Sequence, residues 1–300
     1  AEILNTSPLA RCDGAAYVSC RVVAEGAAPY AFMLYLLVPP GEGPFPVILN
    51  GDACWRYVTD EVAADVLQRG YILAQFNRVE IVPDVAELGR TTGLYRLHPG
   101  AQYGALAAWA WGYHRCVDAL CGMARVDAGR IAITGHSRGG KAALLAGATD
   151  ARIALTNANN SGAGGAGCFR HQGRGAETLA DILRAFPFWF GPRLHEYIGR
   201  ETALPFDQHF LKALVAPRAL LTTEARGDAW ANPEGTWRTH LAAREVYHLL
   251  GADDQLGIVY RDGGHAHARP DWQVLLDFAD WRLRGAPRAR DFSAGFDQQG

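Results

Sequence analysis

Residues 130–147 constrain the fold more than any other stretch of the chain. The run Ile131–Thr134 predicts a strand that leads into Gly135-x-Ser137-x-Gly139, and the small residues that follow are typical of a helix. Strand, sharp turn and helix are the setting of a nucleophile elbow, whose tightness leaves no room for side chains beside the serine. The first N–H groups of the helix would point to where an oxyanion can form. The stretch therefore predicts a nucleophilic Ser137; the alternative is a glycine-rich turn with an idle serine.

Composition excludes several classes of partner. The chain has 300 residues, 49% of them hydrophobic, and a formal net charge of −2. This charge argues against nucleic acid or an anionic membrane as a partner. No apolar run is long enough to span a membrane, and the amino-terminal residues lack the basic and apolar regions of a signal peptide. We expect a monomer without membrane contact.

Strand-like and helical patterns alternate along the chain, which predicts an α/β fold with a mostly parallel sheet between helices. We expect one domain over residues 1–300, with an N-terminal extension at 1–28 and a loosely held tail at 288–300. The glycine-rich segment Ser161–Gly167 should be a loop above the carboxyl edge of the sheet. The predicted strands are Ala31–Val38, Val47–Asn50, Ile72–Gln75, Ile131–Thr134, Ile153–Thr156, Ala219–Thr223 and Ile258–Tyr260, and the predicted helices are Thr59–Gln68, Ala105–Met123, Gly139–Gly147, Ala176–Ala185, Asn232–Leu250 and Trp272–Leu283.

The six cysteines do not indicate a metal site, because none of their spacings matches a zinc motif. Cys12 and Cys20 are close enough to bridge a small loop, whereas Cys116 and Cys121 should face away from each other on one helix. We interpret most of the cysteines as buried free thiols, and we predict neither a metal nor a cofactor.

The partners of Ser137 should follow it in the order acid, then histidine. The loop after the last predicted strand contains His265 and His267. We assign the base to His265, which directly follows two glycines, and His267 is the alternative. Asp228 lies past the end of the preceding strand and is the predicted acid, which would orient the imidazole. Glu224 is nearer to that strand, where we expect a structural or ion-paired group.

Gly135–Lys141 resembles the Gly-Cys/His-Ser-Arg-x-Gly-Lys signature of the glucuronoyl esterases, a carbohydrate esterase family of α/β-hydrolases. This signature is specific, because ordinary lipases and peptidases lack its arginine and lysine. The resemblance implies the three-layer α/β-hydrolase sandwich. Further similar segments, which together span about residues 45–285, are Gly104–Gly112, Ser161–Arg170, Phe186–Phe190, Leu204–His209 and Ala216–Arg218.

The resemblance implies hydrolysis, through an acyl-enzyme on Ser137, of esters between (4-O-methyl-)glucuronic acid of xylan and lignin alcohols. By position, Arg138 would stabilise the oxyanion, Lys141 and Glu177 would bind sugar hydroxyls, and Trp230 would pack on the uronate. Structural alternatives exist for three of these residues. Arg138 could be an ion-pair partner, Glu177 a helix first-turn acid favoured by the macrodipole, and Trp230 a packing residue.

The chain departs from the family pattern at two positions. Asn160 stands where many members, notably fungal ones, have the catalytic glutamate, and an amide cannot replace that charge. Some bacterial members have a later acid, which matches Asp228, so we expect Asn160 to be its uncharged neighbour. His136 stands where the fungal pattern has a cysteine, so that disulfide cannot form.

Two other functions stay open at this point. A broader carboxylesterase acting on acetyl or feruloyl groups would use the same triad without needing Lys141. A xylan-binding module without catalysis is suggested only by Asn160. Lignin–carbohydrate esters lie outside cells, so we expect a secreted or periplasmic protein.

Overall fold

A single sheet organises the molecule. The computed structural model describes residues 1–10, 12, 14–24, 29–55, 57–88 and 90–296. Within these residues nine strands form one sheet, in the order β1-β2-β3-β5-β4-β6-β7-β8-β9. The strands are β1 (Glu2–Pro8), β2 (Ala16–Ala24), β3 (Tyr30–Val38), β4 (Phe45–Asn50), β5 (Ile72–Phe76), β6 (Val126–His136), β7 (Leu155–Asn159), β8 (Ala219–Ala225) and β9 (Leu256–Arg261).

The sheet is antiparallel at one side and parallel elsewhere. The pairs β1–β2, β2–β3 and β3–β5 are antiparallel, and every pair from β5 through β4 to β9 is parallel. The carboxyl ends of the parallel strands therefore meet at one edge of the sheet, where ligands bind in folds of this kind.

Helices cover both faces of the sheet. Val47 packs in one core cluster and its neighbour Ile48 in another, because successive strand side chains point to opposite faces. Trp109 and Trp272 are fully buried in the first and second cluster respectively. The predicted three-layer architecture is thus confirmed. The helices are α1 (Asp60–Gln68), α2 (Arg78–Ile81), α3 (Ala105–Cys121), α4 (Arg138–Thr149), α5 (Leu179–Ala185), α6 (His209–Val215), α7 (Pro233–Leu249) and α8 (Arg269–Arg284).

The sequence-based expectation missed β1, β2, α2 and α6, and it placed β7 and α5 at other residues. The strand predicted at Ile153–Thr156 is β7, Leu155–Asn159, which ends in buried asparagines that strand propensity disfavours. The pattern did not predict β1, because that edge strand is almost entirely exposed and lacks alternating burial. The helix expected from Ala176 begins only at Leu179, since Thr178 caps it through a hydrogen bond from the Asp181 N–H.

Both chain ends are attached to the sheet within the described residues. In the expected N-terminal extension, β1 and β2 extend the sheet, while residues 11, 13 and 25–28 lie outside the described residues. In the tail that we expected to be loosely held, Phe292 is buried against Phe278 and Trp281, and its carbonyl accepts from the Ile258 N–H. Residues 297–300 lie outside the described residues.

The remaining composition-based expectations concern cysteines and membranes. All six cysteines are free thiols, so the small-loop bridge between Cys12 and Cys20 is not formed. Cys20, Cys116 and Cys168 are buried, whereas Cys12, Cys54 and Cys121 are not, so the expectation that most of the thiols are buried is wrong. Across the described residues no helix combines the length and apolarity needed to cross a membrane.

Phe292→Ala should destabilise the fold, because it removes the ring that fixes the carboxyl-terminal segment to α8. We expect the free energy of unfolding to fall by about 3 kcal/mol, measured by urea denaturation. Phe210→Ala is the matched control, since that ring is half-exposed on α6. Equal, small effects of the two substitutions would show that Phe292 does not anchor the segment.

Candidate active site

Ser137 lies at the elbow between β6 and α4 with a left-handed backbone, at φ 56°. The flanking glycines are required by close packing. A Cβ on Gly135 would lie 2.4 Å from the carbonyl oxygen of Gly139, and one on Gly139 would lie 2.1 Å from Oδ1 of Asp52. The turn therefore lifts the serine hydroxyl off the backbone at the carboxyl edge of the sheet.

Asp52, which follows β4, contacts the backbone of the elbow through its carboxylate. Its Oδ2 accepts the backbone N–H of His136 at 2.7 Å, and its Oδ1 lies 3.3 Å from Nη1 of the fully buried Arg78. Burial raises the pKa of Asp52, and Arg78 and the His136 N–H oppose that shift. Sequence reasoning missed this residue, because a lone Asp after a strand matches no motif; only its proximity to Gly139 reveals the role.

The structure brings Ser137, His265 and Asp228 into one line. The Ser137 hydroxyl lies 3.0 Å from Nε2 of His265, and Nδ1 of that ring lies 2.5 Å from Oδ2 of Asp228. An ionised carboxylate can only accept, so Nδ1 carries the proton and Nε2 is free to accept from the hydroxyl. This is the geometry of a general base beside a nucleophile.

Arg261 supports the loop that carries the imidazole. Its Nη2 donates to the carbonyl oxygens of Ala266 at 2.7 Å and Gly264 at 3.3 Å, the two residues that flank His265. Its Nε donates to the buried Asp271 at 2.8 Å. The guanidinium thus fixes the backbone on both sides of the base, although the sequence did not single it out.

Asn160 contacts the predicted acid directly. Its Nδ2 donates to Oδ2 of Asp228 at 3.0 Å, the same oxygen that accepts the hydrogen bond from Nδ1 of His265. Its backbone N–H donates to the carbonyl oxygen of Thr223 on β8. Asn160 is therefore an uncharged neighbour of the acid, as the sequence predicts.

His267 does not reach the serine in this arrangement. Its ring is buried, stacks on Trp272 at 4.8 Å between centroids, and has no hydrogen-bond partner on either nitrogen among the described residues. Burial, together with the His136 ring and Arg261, holds the pKa of His267 well below its usual range. The geometry therefore favours His265 over His267 as the base.

His136, directly before the serine, packs against the same imidazoles. Its ring centroid lies 4.5 Å from that of His265, and its Nδ1 lies 2.6 Å from Oδ1 of Asn159. Because the Asn159 amide nitrogen already donates to Thr223, Nδ1 of His136 is the donor in that bond. Burial lowers the pKa of His136 to about 4, so this ring stays neutral beside the base.

Arg138 has the ion pair that the sequence left open. Its Nη1 donates to Oδ2 of Asp84 at 2.9 Å, while the guanidinium carbon lies 4.6 Å from the centroid of Trp189 and 4.8 Å from that of Phe186. The side chain keeps a quarter of its surface exposed. Its charge is thus partly balanced and tightly positioned beside Ser137.

Lys141, Glu177 and Trp230 come together one helical turn from Ser137. Nζ of the buried Lys141 donates to the carbonyl oxygens of Ser161 and Ala163 at 2.7 and 2.6 Å and lies 3.7 Å from Oε2 of Glu177. The Trp230 indole is half-exposed and hydrogen-bonds the Glu177 carboxylate. Two of the three ammonium protons therefore hold the glycine-rich loop, and the third faces the Glu177 carboxylate.

Burial and mutual attraction set the pKa values of Lys141 and Glu177. Burial lowers the pKa of Lys141 and raises that of Glu177, and each charge partly offsets the shift of the other. Glu177 precedes the cap residue Thr178, whereas the acid in the first turn of α5 is Asp181. A helix-dipole role therefore does not explain Glu177.

Glu224 is separate from the triad. It is fully buried on β8 and accepts from the Thr236 hydroxyl at 3.3 Å. Burial raises its pKa to about 8, and the buried Lys212 opposes that shift. This environment is that of a structural, charge-paired group.

Across the described residues no three His, Cys, Asp or Glu side chains form a group that could hold a metal ion.

The comparisons with known proteins agree on one family. The family model described as "Glucuronyl esterase, fungi" matches residues 22–251. A 4-O-methyl-glucuronoyl methylesterase from Phanerochaete chrysosporium is 42% identical over 261 residues, which cover 83% of this chain and 53% of that protein. A carbohydrate esterase from an unknown prokaryotic organism is 39% identical over 61% of this chain and 46% of its own length. The chain thus spans about half the length of the curated relatives it matches.

Solved structures give the same result. A family 15 carbohydrate esterase, a glucuronoyl esterase from Caldicellulosiruptor kristjansonii, has a TM-score of 0.84 at 33% identity, over 100% of this chain and 83% of that one. A serine-to-alanine variant of the glucuronoyl esterase from Sporotrichum thermophile, bound to methyl 4-O-methyl-β-D-glucopyranuronate, has a TM-score of 0.76 at 27% identity, over 100% and 81% of the chains. The resemblance found in the sequence is confirmed.

Asp228→Asn should reduce turnover by about 10⁴-fold, because an amide neither fixes the productive tautomer nor balances the imidazolium. Asn160→Ala should keep most of the turnover, since it removes a neutral donor and leaves the carboxylate. Steady-state hydrolysis of a glucuronate ester would measure both. Equal, mild effects would contradict the assignment of Asp228 as the acid.

His267→Phe should weaken the acid sensitivity of the fold. In the folded protein the depressed pKa keeps His267 neutral, whereas the unfolded chain takes up a proton, so wild-type stability falls as the pH falls. Between about pH 7.5 and about pH 5.5 this one group should contribute about 1.4 kcal/mol to that fall. Urea unfolding at both pH values would show a smaller loss for His267→Phe. The surface variant His195→Phe is the control, and identical losses in wild type and His267→Phe would contradict the expectation.

Proposed function

The chain belongs to the glucuronoyl esterase family, and we propose that it is a serine esterase cleaving the ester between a glucuronic acid and an alcohol. One observation carries the proposal: the Lys141–Glu177–Trp230 cluster lies one helical turn from a serine that contacts an imidazole. A serine hydrolase of simple acyl groups needs the second feature and has no use for the first.

The acyl-transfer step follows from the triad geometry. His265 takes the proton of Ser137 as the oxygen attacks the ester carbonyl, and Asp228 stabilises the resulting imidazolium. The tetrahedral oxyanion forms beside the first N–H groups of α4 and the guanidinium of Arg138, which stabilise it more than the neutral ester. The imidazolium then protonates the departing alcohol, which leaves the glucuronoyl group on Ser137.

Hydrolysis of the acyl-enzyme uses the same groups. Water gives a proton to His265 and attacks the acyl carbon, and the imidazolium returns that proton to Ser137 as the glucuronic acid leaves. No redox step or metal-bound water is needed for this sequence. The triad alone moves every proton.

The uronic acid ring would lie against the Lys141–Glu177–Trp230 cluster. Glu177 can accept from ring hydroxyls, and the Lys141 ammonium that faces it would keep its carboxylate ionised for that role. The half-exposed face of Trp230 suits the C–H face of a sugar. Recognition would therefore rest on the carboxylate and the indole, with the Glu177 carboxylate paired to Lys141 and hydrogen-bonded to Trp230.

We further propose that the substrate is the glucuronoyl ester of xylan with lignin alcohols, and that the protein is secreted or periplasmic. The family supports the first proposal. The second follows from the first, because polymeric lignocellulose lies outside cells.

Wild-type enzyme should hydrolyse methyl glucuronate much faster than methyl galacturonate or p-nitrophenyl acetate. Only the first ester has a 4-hydroxyl in the orientation that the Lys141–Glu177–Trp230 cluster would bind. A comparison of kcat/KM on the three esters would measure this preference. Ser137→Ala should lose activity on all three. Preference for p-nitrophenyl acetate would favour the broader carboxylesterase, and binding of a glucuronoxylan oligosaccharide without hydrolysis would favour the xylan-binding module.

A further inference from the structure

Trp55 lies beside the elbow and has no role in the chemistry described above. It ends the short 3-10 turn Ala53–Trp55, and its N–H donates to the carbonyl oxygen of Asp52 at 2.9 Å. Asp52 in turn accepts the His136 N–H. The turn is thus fixed to the backbone that carries the nucleophile, although Trp55 itself is 49% exposed.

A chain of contacts leads from Trp55 to the cluster that would hold the uronic acid. The Arg138 guanidinium lies 5.7 Å from the Trp55 centroid and 4.6 Å from the Trp189 centroid. Lys141 lies 5.9 Å from the centroid of the same Trp189 ring and is paired with Glu177. Two half-exposed indoles, Trp55 and Trp230, therefore lie at opposite ends of this chain.

An ester that reacts at Ser137 has two sides. If the uronic acid lies at the Glu177–Trp230 end, the alkoxy group on the other side of the carbonyl points away from it, toward the Arg138–Trp55 end. We propose that Trp55 forms an alcohol subsite, which binds the planar aromatic ring of the leaving alcohol. This inference rests on the proposed function, because that function places the sugar.

The chemistry of the indole suits such a ligand. The guanidinium of Arg138 lies over the ring, and the exposed surface of Trp55 remains open to solvent. An aromatic ring gains from stacking on indole and from the apolar area that it removes from water. A methyl group is too small to cover that face. Trp55 thus discriminates between alcohols, whereas Trp230 acts on the acid part that all substrates share.

The kcat/KM ratio of benzyl to methyl glucuronate tests the subsite, because the ratio within one variant cancels any general loss of activity. Trp55→Ala should lower this ratio by about tenfold relative to wild type, a change that corresponds to one aromatic pair with its buried area. Trp55→Phe should keep most of the ratio, since it retains an aromatic face. Because the phenylalanine variant is conservative, it keeps the test informative if Trp55→Ala folds poorly.

Two control variants separate the alternatives. Trp230→Ala should lower kcat/KM on both esters by the same factor. Phe210→Ala, which removes an equally exposed ring from α6, should leave the ratio unchanged. An unchanged ratio in Trp55→Ala, with both esters still hydrolysed, would overturn the alcohol subsite and leave the proposed function intact. If wild type hydrolysed neither ester, the proposed function would fail and the subsite with it.

Discussion

The left-handed backbone of Ser137 is the constraint on which the rest of the site depends. A non-glycine residue in that conformation costs about 1–3 kcal/mol and persists only where its surroundings fix it. Here the surroundings are two glycines that allow close backbone contact and the Asp52 carboxylate, which accepts the N–H just before the serine. The loop after β4 is therefore part of the catalytic turn, and it also carries Trp55 into the site.

Two cations, the buried Lys141 and the partly exposed Arg138, lie beside this turn. Arg138 and Lys141 lie on successive positions of one helix face and contact the same indole, Trp189. Arg138 is balanced by Asp84, and Lys141 is held by Glu177 and by the carbonyls of the glycine-rich loop. A buried charge such as that of Lys141 is costly unless it is paired, and these contacts supply the pairing. Loss of one partner should therefore disturb the positions of Arg138, Lys141 and Trp189 together.

The sequence predicted the parts of the site that depend on local patterns. The elbow has a spacing that few other turns require, and the order of acid and histidine is typical of the fold, so the sequence could single out Ser137, Asp228 and His265, which the structure brings into contact. The roles of Asp52 and Arg261 were not predictable, because each acts on residues distant in sequence. The strands β1 and β2 were missed for a related reason: the edge strand β1 is almost entirely exposed and its neighbour β2 is mostly half-buried, so both leave a weak hydrophobic pattern.

The central claim is that His265 activates the hydroxyl of Ser137. Covalent labelling with an aryl fluorophosphonate, followed by mass spectrometry of intact and digested protein, tests it most directly. The account predicts a single adduct on Ser137 that forms rapidly in wild type, slowly in His265→Ala and at nearly the wild-type rate in His267→Phe. An adduct on another residue, or labelling of His265→Ala at the wild-type rate, would contradict it.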